Sequence, residues 1–428
     1  MKGAALIALA LLNAPAQASE DALTLRDAGP FNARSWVPNS EDPAIRYESG
    51  PVDNRVSRLM ADIAAGKTTL ARDGASGYLP SLLAALGVSP TSQLLVISKT
   101  SLEGRYINPQ NPRALYFSDD VVVSFVRGAP SIEIAVHDPT QGMVFYSLEQ
   151  TGAEKAPLRR RGDCLRCHRS YVSDGIVGGV IRSVALDQGG FTALAVTDLH
   201  VDHNMPLKNR WGGWYVTGLE GVEHLGNRVL PIRDGKRLPD AVTIAAKDAD
   251  LNGYLSTQSD AAALMVFDHQ MRMQNLITRM GWDARVALAQ QQRGATTGEV
   301  VDALMKSDVV ELVDYMLFID AAPVSGKFAA SDFAKDFAAR GPRDAAGRSL
   351  YQLDLKTRLL RFPCSYMIYS TAFDALPDVA KQAIYRRLGQ VLSGAERDAR
   401  YRKLAAVDHK AISELLRETK PDTARYLR

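Results

Sequence analysis

The chain has 428 residues, 46% hydrophobic and 23% charged, a balance that excludes a disordered or fibrous protein and suffices to bury a core. Its 51 basic and 48 acidic side chains leave a formal charge of +3, so no strong field draws it towards nucleic acid or an anionic membrane. Three cysteines are too few, and odd in number, for a disulfide framework, so the two that stand three positions apart need another purpose.

In chain order, Met1-Lys2, an apolar run from Ala4 to Leu12 and Ala16-Gln17-Ala18 read as a secretory signal peptide over residues 1–18. The apolar run is too short to span a bilayer, and no later run reaches the roughly 20 apolar residues that a spanning helix needs, so no membrane span is expected after cleavage. Residues 19–92 are expected to be a capping extension with one helix from Arg55 to Ala65. Residues 93–258 form the β-rich region: short runs at Leu94–Ser98, Ala114–Phe117, Val121–Val126, Ile132–Val136 and Met143–Leu148 alternate with turn chemistry such as Asp138-Pro139-Thr140-Gln141-Gly142, the pattern of an antiparallel meander. A basic linker, Lys155 with Arg159, Arg160 and Arg161, follows. Ile176–Val184, Phe191–Val196 and Trp211–Val216 predict more strand and loop. Residues 259–428 are helical in texture, with three- and four-residue apolar spacing over Ala261–Met280, Gly298–Ala321, Ser331–Ala339, Arg348–Leu360, Val379–Leu392 and Ala395–Thr419. The expected class is α+β, a β-rich first half followed by a helical second half.

The chemistry centres on Cys164-Leu165-Arg166-Cys167-His168. Two thiols three positions apart can form thioethers to the two vinyl groups of one haem, and the next residue offers an imidazole to the iron. With three cysteines and seven histidines scattered over this length, the motif arises by chance on the order of 2 times in 10,000. Two other readings compete. A redox-active Cys-x-x-Cys disulfide needs no following histidine and favours a strand-to-helix junction. Structural zinc needs four ligands, and Cys364 is the sole cysteine besides the pair.

The motif and the signal peptide resemble those of the c-type cytochromes. That resemblance implies one covalently attached haem c, with Cys164 and Cys167 as the linking thiols and His168 as the proximal iron ligand, in a periplasmic protein with one-electron chemistry and a redox partner protein. Asn111–Phe117, Arg210–Val216 and Pro363–Ser370 are similar to blocks of large bacterial proteins with a cytochrome c domain. The chain departs from the small all-helical cytochrome c fold, which places its motif near the start of roughly 100 residues.

The sixth iron position separates two functions. A haem with two protein ligands passes electrons; one with an open distal face serves a haem-dependent oxidoreductase or peroxidase-like enzyme with a small-molecule substrate. Candidates for that position are His224, His269 and His203, with Met205, His137, His200 and His409 behind them. No catalytic residue is assigned. Arg210 and the tryptophans Trp211 and Trp214 could line a haem pocket, or equally pack as a glycine-kinked strand. Lys155, Arg159, Arg160, Arg161, Arg166 and Arg169 form a basic set that could steer an acidic partner. Asp248–Gly253 copies half of a calcium loop, but Ser259 stands where a bidentate Glu is required. Cys364 reads as a buried hydrophobe.

Overall fold

The computed structural model describes residues 39–150 and 158–427. The signal peptide and Lys155 lie outside them. The first half carries the sheet and the second half the helices, with 36% of residues helical and 17% in strands.

The meander forms as the turn chemistry predicts. β1 (Leu94–Val96), β2 (Arg113–Phe117), β3 (Val121–Phe125), β4 (Ser131–Asp138), β5 (Gly142–Glu149) and β6 (Leu158–Arg160) make one six-stranded antiparallel sheet in sequential order. Register is set at the β4–β5 turn, where Asp138 pairs with Gly142 and its carboxylate accepts the N–H groups of Thr140 and Gln141. Gly142 has φ +83°, a conformation that a side chain would strain. β6 falls inside the stretch expected to be a basic linker, because Arg159 and Arg160 pair with Ser147 and Tyr146 of β5.

Two helices precede the sheet in the chain. α1 (Arg55–Ala64) starts at an Asn54–Ser57 capping box, and α2 (Leu79–Leu86), not expected from the sequence, ends on left-handed Gly87. Beyond the sheet come a one-turn helix, α3 (Leu165–His168), and a short ribbon, β7 (Arg182–Val184) with β8 (Asp198–His200).

The second half is built on α4 (Ala261–Gln292), 32 residues and about 48 Å long, capped by Asp260. It runs a dozen residues past its expected end and is buried on every side from Ala261 to Ala284, polar residues included. Those polar residues each meet a partner. Gln270 donates to Ser118 O at 2.7 Å and accepts from Tyr366 Oη; Gln274 donates to Asp119 O at 2.8 Å. α4 therefore joins sheet and helices through specific bonds as well as apolar packing. α5 (Gly298–Met316), α6 (Asp332–Ala338), α7 (Thr371–Asp374), α8 (Asp378–Leu392) and α9 (Ala406–Thr419) complete the helical half.

Two sequence expectations are corrected. Arg348–Leu360 is no helix: Leu355 sits at φ +57°, and the Asp354 carboxylate takes the N–H groups of Lys356 and Thr357, a local turn that outcompetes the helix. Ala395–Thr419 is broken, since Asp398 caps a separate 3₁₀ turn at Ala399–Lys403 before α9 begins. Phe191–Val196, expected as strand or loop, is loop apart from a single antiparallel bridge between Thr192 and Leu186.

Candidate functional site

The cysteine motif folds as one helical turn. The N–H groups of Cys167 and His168 both donate to Cys164 O, at 3.2 and 3.1 Å, which puts the side chains at positions i and i+3 on one face. All three cysteines are free. Cys167 is exposed, whereas Cys164 packs partly against the core, and burial pushes its thiol up to about 11. That direction opposes the thiolate a redox-active pair would need.

After the motif the chain turns back on itself. Arg169 forms an antiparallel bridge with Val177, and the Gly178 N–H donates to His168 O at 2.9 Å. Gly178 then returns a second contact: its carbonyl accepts from His168 Nδ1 at 3.0 Å. A carbonyl can only accept, so Nδ1 carries the hydrogen. Burial, with Arg113 adding to it, lowers the imidazole's proton affinity and outweighs the raising effect of the Gly178 bond, keeping the ring neutral. Nε2 is therefore a bare lone pair, with no hydrogen-bonding partner among the described residues. The Phe145 ring of β5 lies 4.5 Å from the imidazole, centroid to centroid, and limits its tilt.

α4 holds this loop in place. The Asn275 side chain accepts from Gly179 N at 2.9 Å and donates to Gly179 O at 2.8 Å, and Arg272 pairs with Asp174 at 2.5 Å. The carbonyl that orients His168 is thus positioned by a helix about a hundred residues further on.

Among the described residues, five of the eight large hydrophobic side chains left exposed are Leu102, Tyr171, Phe191, Leu194 and Val196. Tyr171, three residues past His168, sets its ring edge against His200 at 6.1 Å. The loop that leads into β8 carries Phe191, Leu194 and Val196, and Lys99 Nζ stands 4.9 Å over the Phe191 ring. Ser101, beside Leu102, donates to Glu133 at 2.8 Å, and the Glu133 charge reaches Cys164 and His168. Arg113 of β2 is within electrostatic reach of His168, and its Nε is buried without a partner.

These residues fit a covalently held haem. Two free thiols on one helical face suit two vinyl groups, the bare Nε2 suits the iron, and the Arg113 guanidinium suits a propionate. The zinc alternative lacks donors: among the described residues no cluster of three or more His, Cys, Asp or Glu side chains has the arrangement of a metal site. Cys364 lies in the core, its thiol pushed up to about 12 by burial.

The other sequence candidates are placed elsewhere. His203 and His269 come together in the interior, Nδ1 to Nδ1 at 2.8 Å, with Ser365 Oγ 2.7 Å from His269 Nε2 and Tyr315 stacked 3.7 Å from the His203 ring. Burial lowers both imidazoles, that of His269 to about 3. Arg210 is engaged inside rather than available to a propionate. It donates to Met205 O at 2.7 Å, His203 O at 2.9 Å and Asp268 Oδ2 at 3.2 Å, and Trp211 Nε1 adds a bond to Asp268 at 3.0 Å. That ion pair is almost wholly buried, and Trp211, whose indole also bonds Asp268, has φ +68°. His224 stands 5.8 Å from the Trp211 ring. No hydrogen bond or ring contact links His203, His224 or His269 to Cys164–His168 among the described residues. His137 bonds Thr278 Oγ1 at 2.8 Å under the sheet, and Asp250 of the half calcium loop pairs with Arg127 at 2.6 Å. Sequence reasoning missed Gly178, Asn275 and Phe145; the Gly178-Gly179 pair just past the motif was the available signal.

Comparison with known proteins finds no matching family model, no similar curated protein and no similar solved structure.

Proposed function

We propose that the chain is an exported, periplasmic c-type cytochrome carrying one haem c, linked through Cys164 and Cys167 and ligated by His168, and that it transfers single electrons to or from a protein partner. The carrying observation is the fixed tautomer of His168: Nδ1–H engaged by Gly178 O, Nε2 bare. When bound, the haem supplies one-electron oxidation and reduction at iron. The chain's own residues do the rest. Gly178 and Phe145 orient the imidazole, and Asn275 fixes Gly178. Arg113 would balance a propionate that is otherwise poorly solvated. Arg159, Arg166 and Arg169 are exposed beside the motif and suit an acidic partner surface.

The test is expression in a bacterium that attaches haem covalently, followed by haem staining of the exported protein on a denaturing gel. A stained band is expected for the native chain and none for the Cys164→Ala, Cys167→Ala double variant. An unstained native chain overturns the proposal, as does staining that survives the double substitution.

A further inference from the structure

If His168 takes one axial position of the iron, the residue on the other face decides what the site can do. The histidines expected to fill it are poorly placed: His203 and His269 bond each other, His137 bonds Thr278, and His224 packs beside Trp211. His200 likewise makes no direct contact with Cys164–His168, but unlike the others it meets Tyr171, three residues past His168.

Two independent links tie His200 to the segment that holds His168. The first is the ribbon. Gly178, whose carbonyl orients His168, leads within four residues to Arg182 of β7, and Arg182 pairs in register with His200 of β8. The second is Tyr171, whose ring edge meets the His200 ring nearly at right angles three residues beyond His168. The His200 ring is half-buried, and neither nitrogen has a hydrogen-bonding partner among the described residues; Nδ1 is buried outright. Burial lowers its proton affinity, Asp198 raises it and Arg182 lowers it again, for a net fall that keeps the ring neutral with one lone pair uncommitted.

We propose that His200 is the second axial ligand, so that the iron is held by two histidines and the site is built for electron transfer rather than for binding a small molecule. This rests on the haem reading above. Two imidazoles give a six-coordinate low-spin iron, and removing one opens a face.

The test uses the purified haem-loaded protein, its covalent haem first established by staining. The ferric native protein is expected to give a low-spin visible and electron paramagnetic resonance spectrum, and the ferrous form to ignore carbon monoxide. His200→Ala should retain covalent haem, shift to high spin, bind carbon monoxide and return to low spin on addition of imidazole; His224→Ala should keep the native spectrum. A low-spin His200→Ala protein, a high-spin native protein, or a high-spin His224→Ala protein overturns the assignment of His200 while leaving the haem reading intact. A native chain without covalent haem overturns both. Should His200→Ala fail to accumulate, His200→Met is read in its place: a ferric spectrum identical to the native one overturns the assignment, and an altered low-spin spectrum supports it.

Discussion

Gly178→Ala is the sharpest probe of how α4 positions the motif. A Cβ at Gly178 would stand 2.8 Å from Ile176 Cδ1 and 2.9 Å from Asn275 Cγ, directly over Asn275 Oδ1. Asn275 cannot swing aside without cost, because its amide makes both hydrogen bonds to the Gly179 backbone in a buried setting. Losing the pair leaves a buried N–H and a buried carbonyl unsatisfied, at roughly 1–3 kcal/mol each, so the substitution should destabilise the protein by on the order of 3 kcal/mol. The assay is urea unfolding, read as a change in midpoint at constant slope. Asn275→Ala alone should cost a similar amount, since it removes the same two bonds. In that background Gly178→Ala should cost less than about 1 kcal/mol, giving a coupling energy of about 2 kcal/mol between sites in contact. Additive costs would refute the reasoning, because they would mean that the added methyl strikes something other than the Asn275 side chain.

Three further outcomes are expected. Asp268→Asn, measured at pH 8, above the value of about 7 to which burial pushes this carboxyl, leaves the Arg210 guanidinium buried without its counter-charge and should cost about 3–5 kcal/mol in thermal or urea unfolding; adding Arg210→Met should recover part of the loss, and a neutral single variant would count against the ion pair. His137 is held neutral, burial lowering it to about 4 from an unfolded value of 6.5, so its contribution is complete above pH 6.5 and is lost as pH falls towards 4. That amounts to about 3 kcal/mol between those limits, and a His137→Gln variant should show a correspondingly flatter acid limb; an unchanged limb would refute the assignment. At Gly142, with φ +83°, a methyl would lie 2.6 Å from Thr278 Cγ2 and 2.8 Å from Val177 O, so Gly142→Ala should lower the urea midpoint by an amount worth about 2 kcal/mol or more.

Local chemistry alone determined a good part of this protein. Alternating apolar runs between Asp-Pro-Thr-Gln-Gly and similar turns suffice for a meander, because a strand's period and a turn's torsions are properties of a few adjacent residues. The same holds for α1, for the start of α4 at Asp260, and for the motif turn that sets Cys164 and Cys167 on one face. Where local and long-range bonding compete, the sequence pattern misleads: Arg348–Leu360 has helical spacing, yet Asp354 caps a turn and Leu355 takes a left-handed conformation. Tertiary structure decided what the polar residues do. On α4, Asp268, His269, Gln270 and Asn275 break the apolar pattern, and nothing adjacent shows that their partners are Arg210, His203, Ser118 and Gly179, some 60 to 150 residues earlier. The state of His168 depends on such contacts too. Its identity is local, but the carbonyl that fixes its tautomer is ten residues on, and Asn275, which holds that carbonyl's loop, lies nearly a hundred residues beyond. A buried hydrogen bond needs both partners brought together by the fold, so a sequence can show that a donor exists and only the folded chain can say which acceptor it meets.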